Sequence, residues 1–136
     1  MTISEILKSR QSKKIATNRG TAMHKKLQRA RIDSALMEKI RAAGIERMFD
    51  EHSRAEVPIA GNINGKFISR RIDRLRLSAD AAEFLDYKTD TDKDARRGMY
   101  AAQMREYTAL LTAAYPGRAV TGYILWLHDW TLEKFV

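Results

Sequence analysis

The sequence has 136 residues, of which 44% are hydrophobic and 31% are charged, a balance typical of one folded domain and not of a disordered or fibrous chain. Twenty-five Lys and Arg residues outweigh seventeen Asp and Glu residues, and the formal charge of +8 favours a polyanion such as nucleic acid as partner. The absence of cysteine excludes disulfides, thiolate metal sites and cysteine nucleophiles. We expect a single domain spanning residues 1–136.

The N-terminal stretch MTISEILKSRQ lacks the apolar core of a signal peptide. No run reaches the ~18 apolar residues of a membrane span. We therefore expect a cytoplasmic protein that does not span a membrane. The basic charge alone is equally compatible with binding to a membrane surface, or with solubility and nothing more.

Helical patterns come first along the chain. Thr2–Glu5 offers a cap for a short helix that ends near Lys13 and Lys14. From Asn18 onwards, apolar residues recur at helical spacing in two segments. Asp33 and Ser34 are predicted to cap the second segment, and Gly44 is predicted to end or interrupt it.

After Ser53 the apolar residues alternate with polar ones, which predicts strands. Glu56–Ala60 forms the first predicted strand. Asn64 and Gly65 then give a strong hairpin signal, because both residues tolerate positive φ. The chain returns as Lys66–Leu77 and, after a turn, as Ala82–Lys88. These three strands predict an antiparallel meander.

The remaining elements complete an α+β order. Ala95–Tyr115 is the longest predicted helix and stops before Pro116. Two further apolar runs, Ala119–Leu127 and Leu132–Val136, predict two more strands. Helices, a meander, another helix and more strands indicate a sheet that is covered by helices.

Two acids and a lysine in the meander suggest chemistry. Asp86 and Lys88 are two residues apart on one strand and therefore share a face. Asp73 lies in the neighbouring strand, so it and Asp86 can approach closely enough to hold one hard cation, Mg²⁺ or Mn²⁺. Lys88 could then orient or deprotonate water, or neutralise a phosphate. The alternative is a solvated Asp–Lys ion pair worth under ~1 kcal/mol.

Five motifs in order resemble the RecB-type branch of the PD-(D/E)XK nucleases. They are RGTAMH, Glu56 at the entry to the first strand, RRID, LDYKT and QMREY. Their order and spacing are especially similar to the C-terminal nuclease domain of AddA-type helicase-nucleases, from about Arg19 to the last strand. The resemblance implies a restriction-endonuclease-like core, in which a central mixed sheet begins with the antiparallel meander and is flanked by helices.

The resemblance also implies roles for individual residues. The metal ligands would be the side chains of His24, Asp73 and Asp86 and the backbone carbonyl of Tyr87. The catalytic lysine would be Lys88. Residues that contact DNA or support the site would be Gln103 and Tyr107, with Glu56 as a neighbouring acid or occasional ligand.

Structural alternatives exist for most of these residues. A helical histidine such as His24 is often a plain surface residue, and Tyr107 could simply pack in the core. Arg71 and Arg74 belong to a set with Arg70 and Arg76 that could follow phosphates. The same arginines would also suit a solvated strand face or a protected sheet edge.

The expected function is metal-dependent hydrolysis of DNA during recombination and double-strand-break repair. By resemblance, the substrate would be single-stranded DNA ends cut exonucleolytically. A helicase on the same or a partner chain would deliver them, since the sequence has no phosphate-binding loop for a motor. The alternative is a non-catalytic domain of the same fold that binds nucleic acid or docks a helicase.

Overall fold

The structure is a computed structural model that describes residues 22–27 and 32–136. The helix predicted between Thr2 and Lys14 lies outside the described residues. So do the first three residues of the RGTAMH motif, Arg19 to Thr21. The rest of that motif, including His24, lies in a helical segment at 22–27.

The described chain has an α+β architecture built on one five-stranded mixed sheet. Its elements are α1 (Ser34–Ala42), a 3-10 helix (Glu46–Phe49), β1 (Ser53–Ile63), β2 (Lys66–Leu77), β3 (Ala81–Lys88), α2 (Arg97–Ala114), β4 (Ala119–Trp126) and β5 (Thr131–Lys134). The strands lie in the order β1-β2-β3-β4-β5. All neighbours are antiparallel except β3 and β4, which are parallel.

The meander is confirmed with small changes in its bounds. Asn64 and Gly65 have φ values of 52° and 78°, the left-handed conformation that a two-residue hairpin requires. β2 has the predicted bounds and β3 begins one residue earlier than predicted. β1 is longer than the predicted Glu56–Ala60, because pairing with β2 continues through polar residues that give no alternating pattern.

The predicted limits of α1 are also confirmed. The Asp33 carboxylate accepts a hydrogen bond of 2.8 Å from the backbone N–H of Leu36, which satisfies a group that the first turn cannot pair. Gly44 lies just after the helix with φ of 76°. The 3-10 helix that follows was not predicted, since four residues carry too little periodicity to reveal it.

Two hydrophobic cores cover the two faces of the sheet. The first lies between the sheet and α2, and its fully buried side chains include Phe84, Met104, Leu110 and Trp126. The second joins the other face of β3 and β4 to α1 and the helical segment 22–27, through residues such as Leu27, Ile40, Leu85 and Leu125. Each face therefore anchors a different helix beside the same strands.

The sheet forks at Asp73. Pairing between β2 and β3 covers only Arg74 to Leu77 on β2, whereas β1 and β2 remain paired to the hairpin tip. The hairpin therefore diverges from the last residues of β3. α2 follows β3 and leads to the parallel strand β4, so the carboxyl end of β3 opens next to the start of α2. Such ends of parallel strands are common ligand sites.

Gly122 in β4 allows the close packing of the first core. A Cβ atom added there would lie 2.3 Å from Cζ of Phe84 and 2.9 Å from Cγ2 of Val136. We expect Gly122→Ala to lower the free energy of unfolding by about 1–3 kcal/mol, because the Phe84 ring must shift within a packed core. Urea unfolding measures this change. Gly98→Ala is the control, since a Cβ at Gly98 meets nothing within 4 Å. A Gly122→Ala protein as stable as the parent would contradict this account of the packing.

Within residues 22–27 and 32–136, no helix has both the length and the apolar character needed to cross a membrane.

Candidate metal centre

The hairpin is distorted where Glu56 and Asp73 face each other. Ladder pairs form on both sides of this position, as Ala55–Arg74 and Val57–Ile72. Glu56 itself has φ of 54°, a conformation that costs a non-glycine residue roughly 1–3 kcal/mol. Strained backbone of this kind is concentrated at functional sites, so the distortion indicates a candidate functional site at this position.

The distortion reverses the faces of the following residues. In a regular strand, Ile72 and Arg74 would point to the same side of the sheet. Here Ile72 packs in the core under α2, whereas Arg74 lies 4.2 Å from the centre of the Phe49 ring on the opposite side. Asp73 lies at the crossover, where its carboxylate can contact groups from both faces.

Three potential ligands converge at this position from three separate parts of the chain. Nε2 of His24 lies 3.0 Å from Oδ1 of Asp73 and 3.7 Å from Oε1 of Glu56. One ligand atom from each residue lies within 4.8 Å of the other two. A cation with metal–oxygen distances of about 2.1 Å holds its ligands at most about 4.2 Å apart. The three ligand atoms therefore already lie near the separations that one bound cation requires.

A buried arginine positions the histidine. Arg74 is only 6% exposed, and its Nη2 donates to the backbone carbonyl of Leu27 at 3.2 Å, while Nη1 donates to Oγ of Ser53 at 2.8 Å. Leu27 ends the described helical segment one turn after His24 and is fully buried. The arginine therefore ties this segment to the sheet at the height of the acidic residues.

The Tyr87 ring packs against the imidazole of His24 in an edge-to-face arrangement. The two ring centres are 5.2 Å apart and the planes are nearly perpendicular, at 85°. The same tyrosine fixes the central acid, because its backbone N–H donates to Oδ2 of Asp73 at 2.8 Å. This bond replaces the ladder bond that is lost where β2 leaves β3. Asp73 therefore has one oxygen held by the backbone and the other directed at the histidine.

Asp86 and Lys88 lie on the α2 side of the fork. Nζ of Lys88 is 2.7 Å from Oδ2 of Asp86, and Asp86 is only 4% exposed. Lys88 also donates to Oε1 of Gln103 at 2.7 Å, and Nε2 of Gln103 donates to the hydroxyl of Tyr107 at 2.9 Å. The predicted sharing of one helix face by Gln103 and Tyr107 is confirmed, and together they orient the lysine.

Two residues of the site, His24 and Asp86, have raised pKa values. The hydrogen bond to Asp73 raises the pKa of His24, although burial acts in the opposite direction. Burial raises the pKa of Asp86 to about 7, and the charge of Asp73 adds to this effect, whereas Lys88 opposes it. A buried carboxyl group beside a second carboxylate behaves in this way, because burial disfavours its charged form. The donor set therefore fits a divalent cation, which would replace a proton at His24.

The structure brings together most of the predicted site residues. His24 and Asp73 are in direct contact, Lys88 contacts Asp86 and Gln103, and the charge of Asp73 acts on Asp86. Glu56, which the resemblance left as a neighbouring acid, lies within the cluster itself. The ligand roles expected of Asp86 and of the Tyr87 carbonyl stay predictions.

Arg74 is buried and bonded to two other parts of the chain, which agrees with the site-supporting half of its predicted role, while its predicted contact with DNA stays a prediction. A side chain that is 6% exposed and bonded to Leu27 and Ser53 cannot reach a phosphate without breaking those bonds. The alternation of arginines in β2 suggested a solvated face, but the distortion at Asp73 turns Arg74 inward. Arg71 lies before the distortion and is exposed, so its predicted role is compatible with its position.

Sequence reasoning missed the contribution of Tyr100. Nζ of Lys88 lies 4.3 Å from the centre of the Tyr100 ring, and the Tyr100 hydroxyl donates to Asp90 at 2.8 Å. The interval from Tyr100 to Gln103 and Tyr107 places all three on one side of a helix, which is the signal that could have identified it. Tyr100 thus forms one wall of the lysine's surroundings.

No protein-family model matches this chain, and no curated protein is significantly similar to it.

Proposed function

We propose that this protein is a metal-dependent deoxyribonuclease with a restriction-endonuclease-like core, of the RecB-type branch of the PD-(D/E)XK nucleases. The observation that carries the proposal is the meeting of His24, Glu56 and Asp73 beside the Asp86–Lys88 pair at the fork of the sheet. A binding surface alone would not need clustered acids. The meander followed by a helix and a parallel strand supports the proposed fold.

The proposed metal ligands and the proposed catalytic lysine lie on two sides of the fork. His24, Glu56 and Asp73 would hold Mg²⁺ or Mn²⁺, with Asp86 close by, and the imidazole favours Mn²⁺ because nitrogen is an unusual ligand for Mg²⁺. A divalent cation held there supplies positive charge against a phosphate and makes water a better nucleophile. The strained conformation of Glu56 keeps its carboxylate in the cluster before the cation arrives.

Lys88 provides the second positive group. Its ammonium is held by Asp86 on one side and by Gln103 on the other, so it needs little reorganisation to face a phosphodiester. Charge that builds up on the phosphate oxygens in the transition state is then met by a donor already in place. Tyr107 acts through Gln103 and is a positioning residue.

DNA is the substrate that best fits the surroundings. The formal charge of +8 attracts polyanions, and exposed Arg71 lies on β2 close to the cluster. We propose single-stranded ends as substrate, cut in recombination and double-strand-break repair, with a helicase on the same or a partner chain. The proposed setting is the cytoplasm.

Mn²⁺ is expected to stabilise the folded protein. At about 100 times its dissociation constant, it should raise the free energy of unfolding by about 2.7 kcal/mol, because it binds only the folded cluster. Thermal unfolding with and without chelator measures the shift. The same samples should hydrolyse 5′-labelled single-stranded DNA with Mn²⁺ and not with chelator. Asp73→Asn should remove both effects.

His24→Ala should likewise remove the Mn²⁺ stabilisation, and His128→Ala is its matched control. His128 also lies beside an aspartate, with Nε2 3.4 Å from Oδ2 of Asp129, but it belongs to no cluster of three ligands in the described chain. Equal loss in both variants would contradict the assigned site. DNA binding that ignores chelator, together with no hydrolysis, would favour the non-catalytic alternative.

A further inference from the structure

A cleft of about 420 Å³ opens on the α2 side of the fork. Lys88 and Gln103 belong to its wall, so it is continuous with the groups placed in the proposed reaction. The other lining residues are Arg70 from β2 and Arg96, Met99, Tyr100, Ala102 and Glu106 from the start and body of α2. A volume of this size suits a small molecule or one unit of a polymer.

The cleft is lined by three cationic side chains, Arg70, Lys88 and Arg96, and by one carboxylate, Glu106. Arg70 comes from the hairpin and Arg96 from just before α2, and Lys88 lines the same cleft. Nε of Arg70 contacts Glu106 at 2.6 Å, and Nε of Arg96 lies 3.9 Å from Asp90. Nη1 of Arg70 also donates to the backbone carbonyl of Ser69 at 2.9 Å. A guanidinium has five N–H donors, so these contacts leave other donors for a phosphate.

An apolar side chain lies at the same cleft. Met99 is 58% exposed, and Met99 and Phe67 are the two large hydrophobic residues exposed in the described chain. Residues on the core side of α2 are buried, whereas Met99 lies on the outer side of the helix and is exposed to solvent. A polarisable thioether packs well against a flat ring, which a nucleobase provides.

We infer that this cleft binds one nucleotide of the DNA strand, next to the phosphodiester that is cut. The phosphate lies between Arg70 and Arg96, and the base packs on Met99. The inference rests on the proposed function and adds the position of the strand and the residues that select it. Neither arginine was assigned a metal or catalytic role above.

The inferred contact between a base and Met99 favours single strands over a duplex. A base can reach Met99 only after it leaves the stack of a duplex, which costs a few kcal/mol for each base. In a single strand the bases are already unpaired, so most of that free-energy cost is absent. Arg96 recognises the phosphate alone and therefore contributes to binding of any sequence.

Binding of fluorescein-labelled oligothymidylate in chelator, followed by fluorescence anisotropy, tests the inference without hydrolysis. Met99→Ala should weaken binding of the thymidylate oligomer about 3- to 10-fold, because one base loses its contact. It should leave binding of an abasic oligomer of equal length unchanged. A structural role for Met99 would weaken both.

Arg96→Ala should weaken binding of both oligomers about 5-fold. It should also reduce the slope of log affinity against log salt concentration by about 0.7, the change expected for one lost phosphate contact on a single strand. Arg41→Ala is the matched control, because Arg41 is similarly exposed but lies in α1 and pairs with Glu46. Phe67→Ala is the control for Met99. Affinities within twofold of the parent for both cleft variants would overturn the inference.

Failure of the cleft and failure of the proposed function give different results. If the parent protein hydrolyses DNA with Mn²⁺ but the cleft variants bind normally, the strand lies elsewhere and the nuclease proposal stands. If the parent protein binds through Met99 and Arg96 but never hydrolyses DNA, the cleft stands and the nuclease proposal fails. Both cleft residues are exposed, so unchanged thermal unfolding of the variants verifies their folding.

Discussion

Replacing Lys88 with methionine is expected to lower the rate of DNA hydrolysis about 10²- to 10⁴-fold, the range found when a group that acts in the transition state is removed. Methionine keeps the apolar stem that packs beside Tyr100, where Nζ of Lys88 is 4.3 Å from the ring centre. It removes the charge that Gln103 and Asp86 hold in place. Single-turnover hydrolysis of labelled single-stranded DNA with saturating Mn²⁺ measures the rate.

Binding should change far less than the rate, because the lysine meets charge that develops only during reaction. Lys93→Met is the matched control. Nζ of Lys93 also pairs with a carboxylate, Asp129, at 2.8 Å. Lys93 lies on the loop between β3 and α2, and Asp129 is not one of the three clustered ligands. A Lys88→Met protein that loses Mn²⁺ stabilisation as well as activity would indicate a structural role. One that keeps full activity would refute the assignment.

The sequence predicted the elements well because each has a local cause. Asn64 and Gly65 determine the hairpin through positive φ, and Asp33 begins α1 through a hydrogen bond three residues away. Tyr107 and Gln103 share a helix face by simple periodicity. Such causes lie within a few residues along the chain, and therefore appear in the sequence.

The site itself depends on effects that a local pattern does not contain. The fork arises because β2 stops pairing with β3 at Arg74 while it stays paired with β1. The positive φ of Glu56 reverses the faces of the residues beyond it, so alternation predicted Arg74 on the wrong side. The same positive φ places the Glu56 carboxylate in the cluster. A glutamate in a left-handed conformation within a strand is unfavourable locally and has no propensity signal.

In metal-free buffer, the stability of the protein should fall as the pH rises from 5 to 7. Burial raises the pKa of Asp86 to about 7, whereas an aspartate of the unfolded chain titrates near 3.9. Between these pH values the folded protein keeps a proton that the unfolded chain has lost. The stabilisation present at low pH is therefore lost as the pH rises. Linkage gives a decrease of about 2 kcal/mol in the free energy of unfolding from pH 5 to 7.

Asp86→Asn should make stability nearly independent of pH in this range, which urea unfolding at several pH values measures. His24 contributes separately: because its pKa is raised, its stabilisation is complete below about 6.5 and is lost at higher pH. The variant should keep that later decrease. Asp129→Asn is the control, since the pKa of Asp129 is lowered to about 2 and its effect falls below this range.

Mn²⁺ should abolish the same pH dependence in the parent protein, because a cation beside Asp73 favours the ionised form of Asp86. The metal-free site is then a local cost to stability that the bound ion removes, as expected for a cluster arranged for function. A parent protein whose stability does not decrease between pH 5 and 7 would contradict the burial of an acid at this position. A decrease that Mn²⁺ leaves unchanged would separate Asp86 from the metal centre and assign the cation to His24, Glu56 and Asp73 alone.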